Sequence, residues 1–350
     1  MDQNIYRPVH YTKTLISRSI LTSKTFPQWS FLTLLSSAAQ LTSRLTLLHP
    51  SSPTHQSLSP SKDRRVDLDL KVTAPINGDN LPIIVLSHGH GPSNYLSSLK
   101  GYGPVADWWA SHGFVVIQPT HLSSRQLGFE LNAESISELF MESRAKDLVQ
   151  IVDSLDNIET TVPLLKGRLD KSKIAVVGHS LGSLSSALLL GAVNTDPRDG
   201  KAFKVADPRI KAGVLFGAIG ASDDPSENGK SMLPFLDLDF SNMTTPCLVF
   251  WGDSDVSPHL TYRGADWHND PYKLSPGPKA SFEVKDGKHG FGGISGWDAK
   301  ECQDEGVERL AAMQRVTWAY LRSQLYGDDS WEEAKKAIGQ HPQIGKIEEK

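Results

Sequence analysis

Five short, unbroken apolar runs punctuate this chain: Ile83-Ile84-Val85-Leu86, Phe114-Val115-Val116-Ile117, Ile174-Ala175-Val176-Val177, Val214-Leu215-Phe216 and Cys247-Leu248-Val249-Phe250. A strand with one wet face alternates apolar and polar residues, so runs without alternation suit strands buried on both faces of a parallel sheet. Parallel neighbours need crossovers long enough to hold a helix, and helical patterns lie between the runs. Val105, Trp108 and Trp109 precede Gly113, a natural helix stop. Ile136, Leu139, Phe140, Leu148, Ile151, Val152 and Leu155 recur at three- and four-residue steps, as do Leu310, Met313, Thr317, Leu321 and Leu325. This alternation predicts an α/β protein with a doubly wound, mostly parallel sheet and helices on both faces.

Order is expected to begin near Val66, where Val66 to Val72 alternates as a half-exposed strand does. Residues 66–326 then form one catalytic domain, and the charged tail 327–350 is expected to be loosely held. Residues 1–65 read as an extension or targeting segment. Asp2 is the only acid before Asp63, while Arg7, Lys13, Arg18, Lys24, Arg44 and Lys62 are scattered among serines and threonines. That bias resembles a transit peptide; a secretory reading would use Phe31 to Leu35 ahead of Ser37-Ala38-Ala39. The expectation is a cytoplasmic protein, with mitochondrial import or secretion as alternatives. No run approaches the ~20 apolar residues of a membrane span, so no integral span is expected. A formal charge of −4 supplies no basic field for nucleic acid. Two cysteines, Cys247 and Cys302, are too few for a disulfide scaffold or a multi-cysteine zinc site and read as reduced thiols.

The third apolar run leads directly into Gly178-His179-Ser180-Leu181-Gly182, and a helical stretch from Leu181 to Leu190 follows. In a chain with 28 glycines the G-x-S-x-G pentapeptide alone is a weak signal. Between a buried strand and a helix it becomes strong, because the sharp turn exposes the serine hydroxyl and only glycine fits where strand and helix nearly touch. Ser180 is therefore the candidate nucleophile. The run ending at Leu86 leads into Ser87-His88-Gly89-His90-Gly91, a glycine-rich loop able to supply an oxyanion donor; the backbone N–H groups of His90 and Leu181 are assigned that role. The His-Gly-His spacing also invites a metal reading with His121, but no ligand set is visible in sequence, and neither metal nor cofactor is expected.

A serine hydroxyl needs a base, and the base an orienting carboxylate. After strand-turn-helix serines the acid and then the histidine follow in chain order. The acid falls in Gly252-Asp253-Ser254-Asp255, with Asp255 preferred over Asp253 and with Asp223 or Asp224 as a third option. The base is His289, in the loop Lys285 to Gly293 just past the strand Ser281-Phe282-Glu283-Val284; His259 and His268 lie in a polar loop before that strand. Residues 191–208 and 221–246 break the strand-helix rhythm, and the latter, with Trp251, Trp267 and Trp297, is expected to shape a pocket.

Taken together, the HGHG loop, the GHSLG elbow, the GDSD turn, the DGKHGFGG loop and the stretch RAKDLVQIVDSL from Arg144 resemble α/β-hydrolases of the dienelactone hydrolase, platelet-activating-factor acetylhydrolase, chlorophyllase and polyester-hydrolase group. The resemblance spans about residues 66 to 325. It implies the α/β-hydrolase fold and cofactor-free cleavage of a small ester or lactone by Ser180, Asp255 and His289, with His90 and Leu181 as amide donors. Position 180 holds serine where dienelactone hydrolases carry cysteine, and Leu181 stands where chlorophyllases carry arginine. The alternatives are acyl transfer to another acceptor on the same scaffold, or a binding protein without catalysis.

Overall fold

A computed structural model describes residues 51–60, 64–93, 95–129, 139–296, 299, 304 and 306–350. Trp297, Cys302, Ile136 and the targeting signals of residues 1–50 lie outside them. Among the described residues twelve strands follow in chain order. β1 (Ser51–Leu58), β2 (Leu68–Pro75), β3 (Leu81–Ser87), β4 (Val115–Pro119) and β5 (Leu169–His179) come first. β6 (Val193–Thr195) and β7 (Ala202–Phe203) precede β8 (Ile210–Phe216), and β9 (Leu238–Asp239) precedes β10 (Cys247–Gly252), β11 (Lys279–Val284) and β12 (Gly345–Glu349). The helices are α1 (Gly103–Ser111), α2 (Met141–Asp153), α3 (Leu155–Thr161), α4 (Leu181–Leu190), α5 (Glu227–Met232), α6 (Asp270–Leu274), α7 (Val307–Tyr326) and α8 (Ser330–Gly339).

The large sheet has the order β1-β2-β4-β3-β5-β8-β10-β11-β12, and β6, β7 and β9 form a small second sheet. From β4 to β11 every pairing is parallel, while β1, β2 and β12 join antiparallel at the two sides. The unbroken apolar runs are explained by two cores. Ile83, Val85, Val176, Leu215 and Val249 face one layer with Leu148, Ile151, Leu184 and Leu188 of α2 and α4. Their neighbours Ile84, Leu86, Val177, Val214 and Phe250 face the other, with Val105, Trp109, Met313, Val316 and Leu321 of α1 and α7. The protein is thus α/β, with a mostly parallel sheet flanked by helices. Among the described residues no helix is long and apolar enough to cross a membrane.

Both expected boundaries of the folded unit move outward. The sheet begins at Ser51 rather than near Val66: β1 pairs with β2 from Ser51↔Pro75 to Leu58↔Leu68. Its sequence, SSPTHQSL, carries no apolar alternation because an edge strand is held chiefly through its backbone. The tail 327–350 is not loose. Trp331, Ala334, Ala337, Ile338 and Ile344 are buried against the core, and β12 pairs with β11. The charges that suggested a free tail face outward from an amphipathic helix. The connections 191–208 and 221–246 contain the small sheet, with Phe235 and Leu236 buried beneath it.

Candidate active site

The C-terminal ends of β3, β5, β10 and β11 meet on one rim of the sheet, where open α/β sheets bind ligands. β5 ends in a turn that holds Ser180 at φ 54° and ψ −122°, and α4 starts at the next residue. A side-chain-bearing residue in such a region costs about 1–3 kcal/mol and stays there only when its surroundings dictate it. Here the Ser180 N–H donates to Phe216 O at 2.9 Å. A Cβ at Gly178 would fall 2.1 Å from Gly182 O, and one at Gly182 would fall 2.1 Å from Ser87 O. Strand, turn and helix are therefore pressed together at the two glycines, as their spacing implied.

The loop after β3 lies against the serine: a Cβ at Gly89 would come within 3.3 Å of Ser180 Cβ. Neither the His90 nor the Leu181 N–H donates to a backbone acceptor among the described residues. The Leu181 amide is also the first of α4, where helix N–H groups carry partial positive charge.

His289 and Asp255 meet. The Asp255 carboxylate, 3% exposed, accepts from His289 Nδ1 at 2.9 Å, which leaves Nε2 with the lone pair of the neutral ring. Asp253 is occupied elsewhere, bound to Lys285 at 2.8 Å, and exposed Asp223 pairs with Arg263 at 2.8 Å. Of the two acids of the GDSD turn, Asp255 is the one that pairs with His289. No hydrogen bond joins Ser180 Oγ to His289 among the described residues, but the ring of His179, which precedes the serine, lies 4.9 Å from the His289 ring. Such bonds often tighten only when substrate arrives. Burial works against charge on His289, yet the Asp255 carboxylate outweighs it and holds the imidazole pKa above its usual value. Burial opposes the Asp255 charge as well, and the His289 ring outweighs it, so this carboxyl sits below its ordinary value.

Two buried networks hold these loops, and composition did not reveal them. His179 Nε2 donates to His289 O at 2.8 Å, so its Nδ1 must accept; burial, with the charge of nearby His289, lowers its pKa to about 3 and keeps it neutral. Tyr102 O–H donates to that Nδ1 at 2.9 Å and accepts from Gly89 N–H at 2.8 Å. One chain of hydrogen bonds thus runs from the loop after β3, through the residue before Ser180, to the backbone of His289. The second network surrounds Arg144 of α2, fully buried. Its guanidinium donates to His88 O, to Ser123 Oγ at 2.6 Å and to Ser185 Oγ of α4 at 3.1 Å. Burial lowers its pKa to about 9. Nearby, Asp147 binds Arg64 Nη1 at 2.7 Å and His121 Nδ1 at 2.8 Å, and burial raises its pKa to about 7. His121 Nε2 meets Ser87 Oγ at 2.9 Å, and the His121 N–H donates to His88 Nε2 at 3.0 Å. Both ring nitrogens of His88 and of His121 thus meet protein groups.

The sequence did carry one missed signal: Arg144 and Asp147 stand on the buried stripe of α2, beside Met141, Leu148 and Ile151. Charges in an apolar stripe mark partnered, buried groups. His268, set aside as a loop residue, is also buried, with Nε2 3.5 Å from Asp255 Oδ2. Trp267 is buried and donates to Ala221 O at 2.9 Å, so it fastens the 221–246 connection. Compared with protein-family models and with curated proteins, the chain finds no match in either.

Proposed function

We propose that this chain is a serine hydrolase of the α/β-hydrolase fold, near the dienelactone hydrolase, acetylhydrolase, chlorophyllase and polyester-hydrolase group, and that it cleaves a carboxylic ester or lactone. The observation that carries the reading is His289 bound through Nδ1 to a buried Asp255, on the same rim of the sheet where Ser180 is held at positive φ between strand and helix. His289 Nε2 takes the Ser180 Oγ proton as Oγ attacks the carbonyl carbon, and the N–H groups of His90 and Leu181 receive the negative oxygen. The imidazolium then protonates the departing alkoxide as the ester C–O bond breaks, which leaves an acyl-enzyme; a lactone keeps that alcohol tethered to the acyl group. Water attacks next, His289 takes its proton and returns it to Oγ, and the carboxylic acid leaves.

Hydrolysis of p-nitrophenyl esters from acetyl to decanoyl, and of simple lactones, by wild type and Ser180→Ala tests this. The mutant should lose about 10⁴- to 10⁶-fold in kcat. Equal turnover by both proteins would overturn the assignment. So would a folded wild type that neither turns over nor reacts with a fluorophosphonate, the outcome expected of a binding protein without catalysis.

A further inference from the structure

We infer that Asp255, His268 and His289 form a binding site for a divalent zinc ion whose occupancy arrests the base. One ligating atom from each of the three falls within 4.8 Å of the others, the one such grouping among the described residues. Asp255 Oδ2 lies 2.9 Å from His289 Nδ1 and 3.5 Å from His268 Nε2. These separations bracket about 3.3 Å, the edge of a tetrahedron whose zinc–nitrogen legs are about 2.0 Å.

The state of His268 makes it a ligand in waiting. Its Nδ1 lies 2.6 Å from Ala218 O, and a carbonyl can only accept, so the proton sits on Nδ1. The Nε2 lone pair then points to Ser257 Oγ at 3.2 Å and toward Asp255, and the residue is 1% exposed. A ring fixed by donating its other N–H to a backbone carbonyl is the usual support of a metal-binding histidine. Beside a carboxylate, however, that lone pair faces negative charge with only one hydroxyl to satisfy it. A cation between them would turn repulsion into coordination. Two imidazoles and one carboxylate suit zinc, whereas magnesium and calcium prefer oxygen alone.

Zinc on His289 Nδ1 displaces the proton of that nitrogen, and the ring carries it on Nε2 instead. Nε2 then donates where the mechanism needs a lone pair, and Ser180 keeps its proton. The arrest rests on the hydrolase reading; the binding does not.

Zinc chloride titrated calorimetrically into the metal-stripped full chain should show one site per chain, with magnesium chloride silent. Ser180→Ala should bind zinc as wild type does, and His268→Gln should weaken it at least tenfold. Cobalt(II) added to wild type should give the intense visible bands of a tetrahedral site, a readout independent of any variant's folding. Zinc should slow fluorophosphonate labelling of Ser180 in proportion to occupancy. Absence of zinc binding, octahedral cobalt bands, or binding indifferent to His268→Gln would overturn the site. Ester turnover without zinc binding would sink this inference alone. Zinc binding that depends on His268 in a chain that cleaves no ester would leave the site standing and sink only the hydrolase reading.

Discussion

At the scale of single residues, the groups proposed to do the chemistry were legible because their spacing is tied to local geometry. Ser180 and His289 each follow a buried strand at a fixed short distance, and glycines flank both. Asp255 was not separable from Asp253, since both stand in one turn and only the packed structure shows which of them Lys285 holds. Tyr102 and His268 were opaque for a different reason: their partners lie 77 residues away in His179 and 50 in Ala218, and no local pattern encodes such pairings. The electrostatics of His289 carry a prediction. Its pKa stands above 6.5 because of Asp255, and only the neutral ring can accept the serine proton. Ester turnover in zinc-free buffer should therefore rise with pH through a midpoint above 6.5 and then level. A midpoint below 6.5, read from kcat/KM profiles, would contradict the pairing. The same shift stabilises the fold below pH 6.5, and that contribution fades as pH climbs through the raised pKa.

At the scale of elements, the central strands were visible as apolar runs and the helices as three- and four-residue steps, while β1 and α8 were not. β1 offers the sheet its backbone and few apolar side chains, so hydropathy passes over it. α8 hides an apolar stripe inside a charged segment. The most consequential element is α2, because Arg144 fastens it to α4 and to the loop that carries His90. Replacing this guanidinium leaves two hydroxyls and one carbonyl without their donor in a dry interior. Arg144→Met should cost about 3 kcal/mol in urea unfolding, since each buried polar group stripped of its partner costs about 1–3 kcal/mol. It should also lower kcat about 10- to 100-fold as the loop loses its setting, less than the about 10²- to 10³-fold cost of removing one oxyanion donor outright. Unchanged stability would show that water takes over the three acceptors.

At the scale of the whole molecule, two cores clasp one sheet, and the chain closes both of its sides from far apart in sequence. β1 guards one side and β12 the other. Removing residues 327–350 strips Trp331 and Ile338 from the core along with β12. Loss of a buried tryptophan alone costs about 3–5 kcal/mol, so the truncated protein should melt well below the full chain in calorimetry. An unchanged melting temperature would mean that α8 and β12 merely rest on the surface. The side left bare would be β11, Lys279-Ala280-Ser281-Phe282-Glu283-Val284, with Ala280, Phe282 and Val284 fully buried in the intact fold. A bare strand of that composition recruits further chains through its free amides and carbonyls. β12, with Lys346, Glu348 and Glu349 along it, makes a poor template for such recruitment. The sheet thus ends on a charged strand, a side that discourages edge-to-edge pairing between neighbouring copies of the molecule.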